Sequence, residues 1–173
     1  MKTILTIITA FLALQTLWAG ELNLRMPFKP GRLSPIAWWD APKGRLFEEE
    51  GKFLVALEPG SGMRFKHNFT GNAGDVIEFT LTMRCESGPV SIRLGQYARE
   101  GWIGERAAFI TEAIASFAVY QGEILLENAV EPDKDGVLRK VSEFSFSIHA
   151  HPGAKQVVIE NIKAVLRPKE EQP

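Results

Sequence analysis

The sequence predicts an all-β protein, an antiparallel β-sandwich closed as a jelly roll. Three observations carry this. Apolar residues recur with period two, the alternating runs are short and bounded by Gly, Pro, Asn or Asp, and no apolar run makes a convincing long helix. Nine or so short strands of this kind bury their apolar faces only by packing one sheet against another. With 173 residues the chain has room for one such domain and no second core.

In chain order, the first strands are short ones over 45–47, 53–57 and 63–69, each ended by Gly, Pro or Asn. The clearest is 75–85, where Ile77, Phe79, Leu81, Met83 and Cys85 share one side and Val76, Glu78, Thr80, Thr82 and Arg84 the other. This alternation makes Cys85 a core residue, and Cys85→Ser is expected to destabilise by burying a hydroxyl. After Glu86-Ser87-Gly88-Pro89, the apolar positions Val90, Ile92 and Leu94 alternate with Ser91, Arg93 and Gly95, so the two segments read as a hairpin. Residues 105–117 admit a short helix or a strand pair interrupted at Thr111-Glu112, and strand is preferred because 116–126 then continues as a strand. Asp133-Lys134-Asp135-Gly136 is a turn. Phe144, Phe146 and Ile148 mark another strand, and the last covers 156–166 before a charged tail, 168–173.

The N-terminus reads as an export signal. Lys2 precedes an apolar run through Leu14, then Gln15, Thr16 and the small residue Ala19, so residues 1–19 are expected to be removed and 20–167 to form the domain. The apolar run is shorter than the roughly 20 residues that span a bilayer, so no membrane span is expected in the mature chain. The expected destination is the periplasm or the medium. Cys85 is the only cysteine, so the core alone must hold the fold. A net charge of −1 argues against a partner bound through general positive charge, such as nucleic acid.

The strongest enzymatic signatures, GxSxG, HExxH, a Walker loop and a strand-borne GxGxxG, are absent. Catalysis is not expected, and two carboxylates about 5–9 Å apart in a cleft would be needed to revive it. Glu48-Glu49-Glu50 reads as a solvated turn. His149 and His151 share a strand face but lack an identified third ligand, so no metal is expected.

What remains is an aromatic and polar cluster, Arg93, Gln96, Tyr97, Arg99 and Trp102, at the point where a strand runs into a loop. A sugar ring presents an apolar C–H face and a rim of hydroxyls, so flat aromatic groups beside guanidinium and amide groups suit it. Adjacent Trp38 and Trp39 point to opposite sides if extended; Trp38 is assigned to the core and Trp39 to a second platform.

The order of elements resembles the carbohydrate-binding modules of families four and nine, galactose-binding-domain-like jelly rolls. The resemblance rests on Leu22-Asn23, Phe28, Pro35 and Trp38 in that order, on Gly74-Asp75-Val76-Ile77-Glu78-Phe79, on Val90-Ser91-Ile92-Arg93-Leu94, and on Val157-Val158-Ile159-Glu160-Asn161-Ile162. It implies a secreted, non-catalytic domain with a polysaccharide or glycan as partner. Members of the family often hold a structural calcium through an acid after the opening Phe and an acid of the closing strand. Here Lys29 follows Phe28 and only Glu160 remains, so neither calcium nor any other cofactor is expected. The competing reading is a cell-envelope domain for assembly or adhesion through protein contacts, without sugar.

Overall fold

The computed structural model describes residues 22–25, 28, 30, 36–38, 44–66, 68–127 and 130–169. The expected leader (1–19), Lys29, Trp39 and residues 170–173 lie outside the described residues, as does the side chain of Trp38.

The described residues form strands and no helix: β1 (Asn23–Arg25), β2 (Ile36–Trp38), β3 (Gly44–Glu49), β4 (Lys52–Leu57), β5 (Gly62–Phe65), β6 (Val76–Arg84), β7 (Pro89–Ala98), β8 (Gly101–Glu112), β9 (Ala118–Leu125), β10 (Val130–Pro132), β11 (Leu138–Lys140), β12 (Glu143–Ala150) and β13 (Val157–Arg167). A six-stranded sheet runs β3-β4-β13-β6-β9, with β1 also on β13; a five-stranded sheet runs β2-β5-β12-β7-β8; β10 and β11 form a separate hairpin. Both sheets are antiparallel throughout. This is the predicted sandwich.

The core lies between the sheets because period two puts every second side chain there. Ile77, Phe79, Leu81 and Met83 of β6 and Ile159, Ile162 and Ala164 of β13 face Val90, Ile92 and Leu94 of β7 and Phe144, Phe146 and Ile148 of β12. Aromatic rings fill the wider gaps, with Phe65 and Phe146 centroids 6.0 Å apart and Phe79 edge-on to Phe109 at 4.9 Å. In β13 the inward parity changes between Ile159 and Ile162, where the register with β6 slips at Glu160-Asn161. That slip is a β-bulge, and it sets Glu160 beside Lys52, with which it pairs.

Two expectations need correction. β6 and β7 are not a hairpin, since β6 lies between β13 and β9 while β7 lies between β12 and β8. The Glu86–Pro89 turn instead carries the chain from one sheet to the other, pinned by backbone bonds between Ser87 or Glu86 and Lys155. Nor does the cluster around Tyr97 run into a loop, because β7 and β8 are joined by a tight turn at Arg99-Glu100.

Candidate functional site

The outward face of the five-stranded sheet is where the structure gathers polar side chains. Register lays them out in ranks across the strands. Gly62, His149 and Ser91 form one; Arg64, Ser147 and Arg93 the next; Ser145, Gly95 and Glu105 a third; Glu143, Tyr97 and Trp102 the last. On an open sheet such residues would be wet, yet Ser91, Ser145 and Ser147 are fully buried. They lie under the longer side chains around them, so the centre of the face is sunken and polar.

Those longer side chains are fixed by one another. Arg64 Nη1 donates to Tyr97 Oη at 2.7 Å. Arg93 Nη1 donates to Glu105 Oε2 at 3.3 Å, and its Nε donates to Ser91 Oγ at 3.3 Å. Ser147 Oγ lies 3.2 Å from both Glu105 Oε1 and the Arg93 carbonyl oxygen, two acceptors that share its single O–H. His151 Nε2 lies 3.2 Å from Ser91 Oγ, and His149 Nε2 lies 3.8 Å from Glu105 Oε1. A linked set of this kind holds its members in one arrangement, which is what a recognition surface requires.

Two glycines give the rings their places. A Cβ at Gly62 would meet the His149 imidazole at 2.8 Å, and one at Gly95 would meet Ser145 Oγ at 2.5 Å and the Tyr97 ring at 3.6 Å. Any side chain there would displace the ring or the hydroxyl. Ser145 Oγ is buried and makes no hydrogen bond, so the centre of the face keeps an unused hydroxyl.

The position of Glu105 depends on a bulge. Tyr97 pairs with Trp102 but Gln96 pairs with Gly104, so Ile103 is an extra residue in β8 and turns into the core. From there the side chains of β8 change side, until a second slip at Ala108 restores the original parity. Glu105 arrives opposite Gly95 on the polar face, and Arg106 turns inward and escapes at the edge, to Glu127 Oε2 at 2.7 Å and the Leu125 carbonyl.

Of the residues expected to bind ligand, the structure brings Arg93, Tyr97 and Trp102 onto this one face. Trp102 is 59% exposed at its rim. Gln96 is placed elsewhere: it is buried on the opposite side of β7, 3.5 Å from Glu131 Oε1. Arg99 stands exposed in the turn between β7 and β8. Sequence reasoning missed Arg64, Glu105, Ser145, Ser147 and His149. The alternation in β12 marks Ser145, Ser147 and His149 as a shared face, but their pairing with β7 joins segments about fifty residues apart. Among the described residues no three His, Cys, Asp or Glu converge as a metal site, and no helix is long and apolar enough to cross a membrane.

No protein-family model and no curated protein matches this sequence. Solved structures do match. The chain is similar to the CBM22-1 xylan-binding domain from Paenibacillus barcinonensis Xyn10C, with a TM-score of 0.54 and 10% identity over 87% of this chain and 97% of that one. It is similar to the xylan-binding module CBM15, with a TM-score of 0.53 and 10% identity over 87% and 99% of the two chains. The second N-terminal cellulose-binding domain of Cellulomonas fimi β-1,4-glucanase C matches with a TM-score of 0.50 and 15% identity over 84% and 97%. At these identities the likeness is one of fold. The chain has the β-sandwich jelly-roll fold found in carbohydrate-binding modules.

Proposed function

We propose that the protein is an exported, non-catalytic polysaccharide-binding domain whose ligand lies across the outward face of the five-stranded sheet. The observation that carries this reading is the meeting of Tyr97 and the exposed Trp102 in one rank with the guanidinium groups of Arg64 and Arg93 close by. The aromatic rim suits the C–H face of a sugar ring, and the sunken polar centre suits its hydroxyls. Glu105 is held by Arg93 and Ser147, an arrangement that suits orientation of a neighbour more than proton transfer. The likeness in fold to xylan- and cellulose-binding domains supports the same reading.

The test is affinity electrophoresis of the protein against soluble xylan, hydroxyethylcellulose and laminarin, with tryptophan fluorescence as second readout. Retardation by one of them, with a fluorescence change lost in Trp102→Ala, is the expected result. No retardation of a folded protein would overturn it and favour a protein partner in the cell envelope.

A further inference from the structure

The six-stranded sheet carries, on its own outward face, a hollow of about 670 Å³ that lies away from the face just described. Its floor follows from register. Arg45, Ala56, Val158 and Arg84 form one rank across β3, β4, β13 and β6, so two small side chains lie between two long ones. With strands about 4.8 Å apart, the two arginine backbones stand roughly 14 Å from each other. Each guanidinium is backed by a ring: Arg45 lies over Phe47 at 5.5 Å and Arg84 over Phe117 at 4.7 Å. Glu49 accepts from Arg84 Nη2 at 3.2 and 3.4 Å, and Glu58 and Gln156 also line the hollow.

Gln156 has a positive φ of 50°, uncommon for a residue other than glycine. Its neighbours enforce that conformation. The Lys155 carbonyl accepts from the Glu86 N–H at 2.9 Å and from the Cys85 thiol at 3.3 Å, while the Lys155 N–H donates to the Ser87 carbonyl at 2.8 Å. A strained residue fixed this firmly at the edge of a hollow is a pointer to function.

We propose that this hollow is a second saccharide site, for one or two neutral sugar units, on the sheet opposite the first. A sugar hydroxyl both donates and accepts. The lining matches that need, with donors in Arg45 and Arg84, acceptors in Glu49 and Glu58, and both in Gln156. The two positive and two negative charges balance, so a carboxylate ligand would meet Glu49 and Glu58 and a cation would meet the arginines. A neutral ring meets neither penalty. Ala56, Val158 and the Phe47 ring supply the apolar floor and wall for its C–H face. The volume lies within the roughly 300–1,000 Å³ of small-molecule sites. Two sites on opposite sheets would let one molecule bridge two glycan chains.

The test is an NMR titration of the protein with xylobiose, cellobiose and sodium glucuronate, followed at the methyl groups of Ala56 and Val158 and the side-chain amide of Gln156. Saturable shifts with a neutral disaccharide are expected, unchanged in Trp102→Ala and weakened about tenfold in Arg45→Ala. Ala56→Trp should abolish them by filling the hollow. If that variant does not fold, Gln156→Gly serves instead, and should weaken binding while raising stability. Shifts absent from the hollow, or stronger with glucuronate than with the disaccharides, would overturn the proposal. Shifts at the hollow with none around Tyr97 and Trp102 would uphold it while removing the first site.

Discussion

Trp102 stands directly opposite Tyr97 in the β7–β8 ladder, on the face turned away from the core, while the next residue, Ile103, is buried. Trp102 is thus an aromatic group displayed by the fold and not required by it. Replacing it by alanine should change stability by no more than about 0.5 kcal/mol, as at other exposed positions. Glycan retardation should fall by about tenfold or more, the scale of losing a central aromatic contact. Thermal melting and affinity electrophoresis on the same variant separate the two effects. A large drop in melting temperature would place Trp102 in the architecture of the sandwich.

Glu105 and Arg93 make the next prediction. Their side chains are 17% and 32% exposed, so the pair is partly desolvated, and Ser147 also leans on the carboxylate. Glu105→Gln keeps the shape and removes the charge, leaving Arg93 without its counter-ion. The cost should be about 1–2 kcal/mol, less than for a fully buried pair because solvent still reaches the guanidinium. Urea unfolding of Glu105→Gln, Arg93→Met and the double variant measures it. A double variant no less stable than the worse single one would show the coupling, whereas strict additivity would dismiss it.

The sandwich was legible because β6, β7 and β12 alternate cleanly, and alternation is a local property of the chain. The site was legible only in part. The same parity that sends Val90, Ile92 and Leu94 inward sends Gln96 inward with them, so the sequence held the signal against Gln96 as a ligand-binding residue. Glu105 was hidden for another reason. Its side of the sheet depends on a one-residue bulge at Ile103, and nothing in the local pattern marks where a ladder slips. Arg64 and Ser147 reach the site through β5 and β12, whose neighbours are set by long-range pairing that period two does not report.

Cys85 is the core residue its alternation predicts, fully buried, and its thiol also sits among backbone carbonyls. Its Sγ lies 3.0 Å from the Ser87 carbonyl, 3.5 Å from that of Gly88 and 3.3 Å from that of Lys155. A serine hydroxyl in this place would find an acceptor, so Cys85→Ser should be milder than burial of an unsatisfied hydroxyl implies, about 1 kcal/mol. Cys85→Val has no donor and should cost more. The gap should be visible in urea midpoints at unchanged slope. If valine is the better tolerated of the two, the thiol serves by packing alone and the carbonyl contacts are incidental.

The β10–β11 hairpin should respond to acid through one carboxylate. Asp133 Oδ1 accepts from the Val137 and Asp135 N–H groups, each at 2.9 Å, and Oδ2 accepts from Arg139 Nε at 3.1 Å. The Val137 N–H foremost, then Arg139 and the Asp135 N–H, hold the Asp133 carboxyl below the usual aspartate value, against a smaller opposing effect of burial. A carboxyl with a lowered folded-state value stabilises the hairpin fully above its unfolded value. That contribution is lost as pH falls through the folded one. Arg139 Nη1 also lies 3.9 Å from Glu100 in the β7–β8 turn, so opening of the hairpin would release a neighbour of the Trp102 rim. Protection of the Val137 amide, taken relative to its intrinsic exchange rate at each pH, should therefore fall on acidification below the ordinary aspartate range, and in Asp133→Asn it should be lower throughout and insensitive to pH across that interval. Equal acid sensitivity in the two proteins would assign the transition to another group.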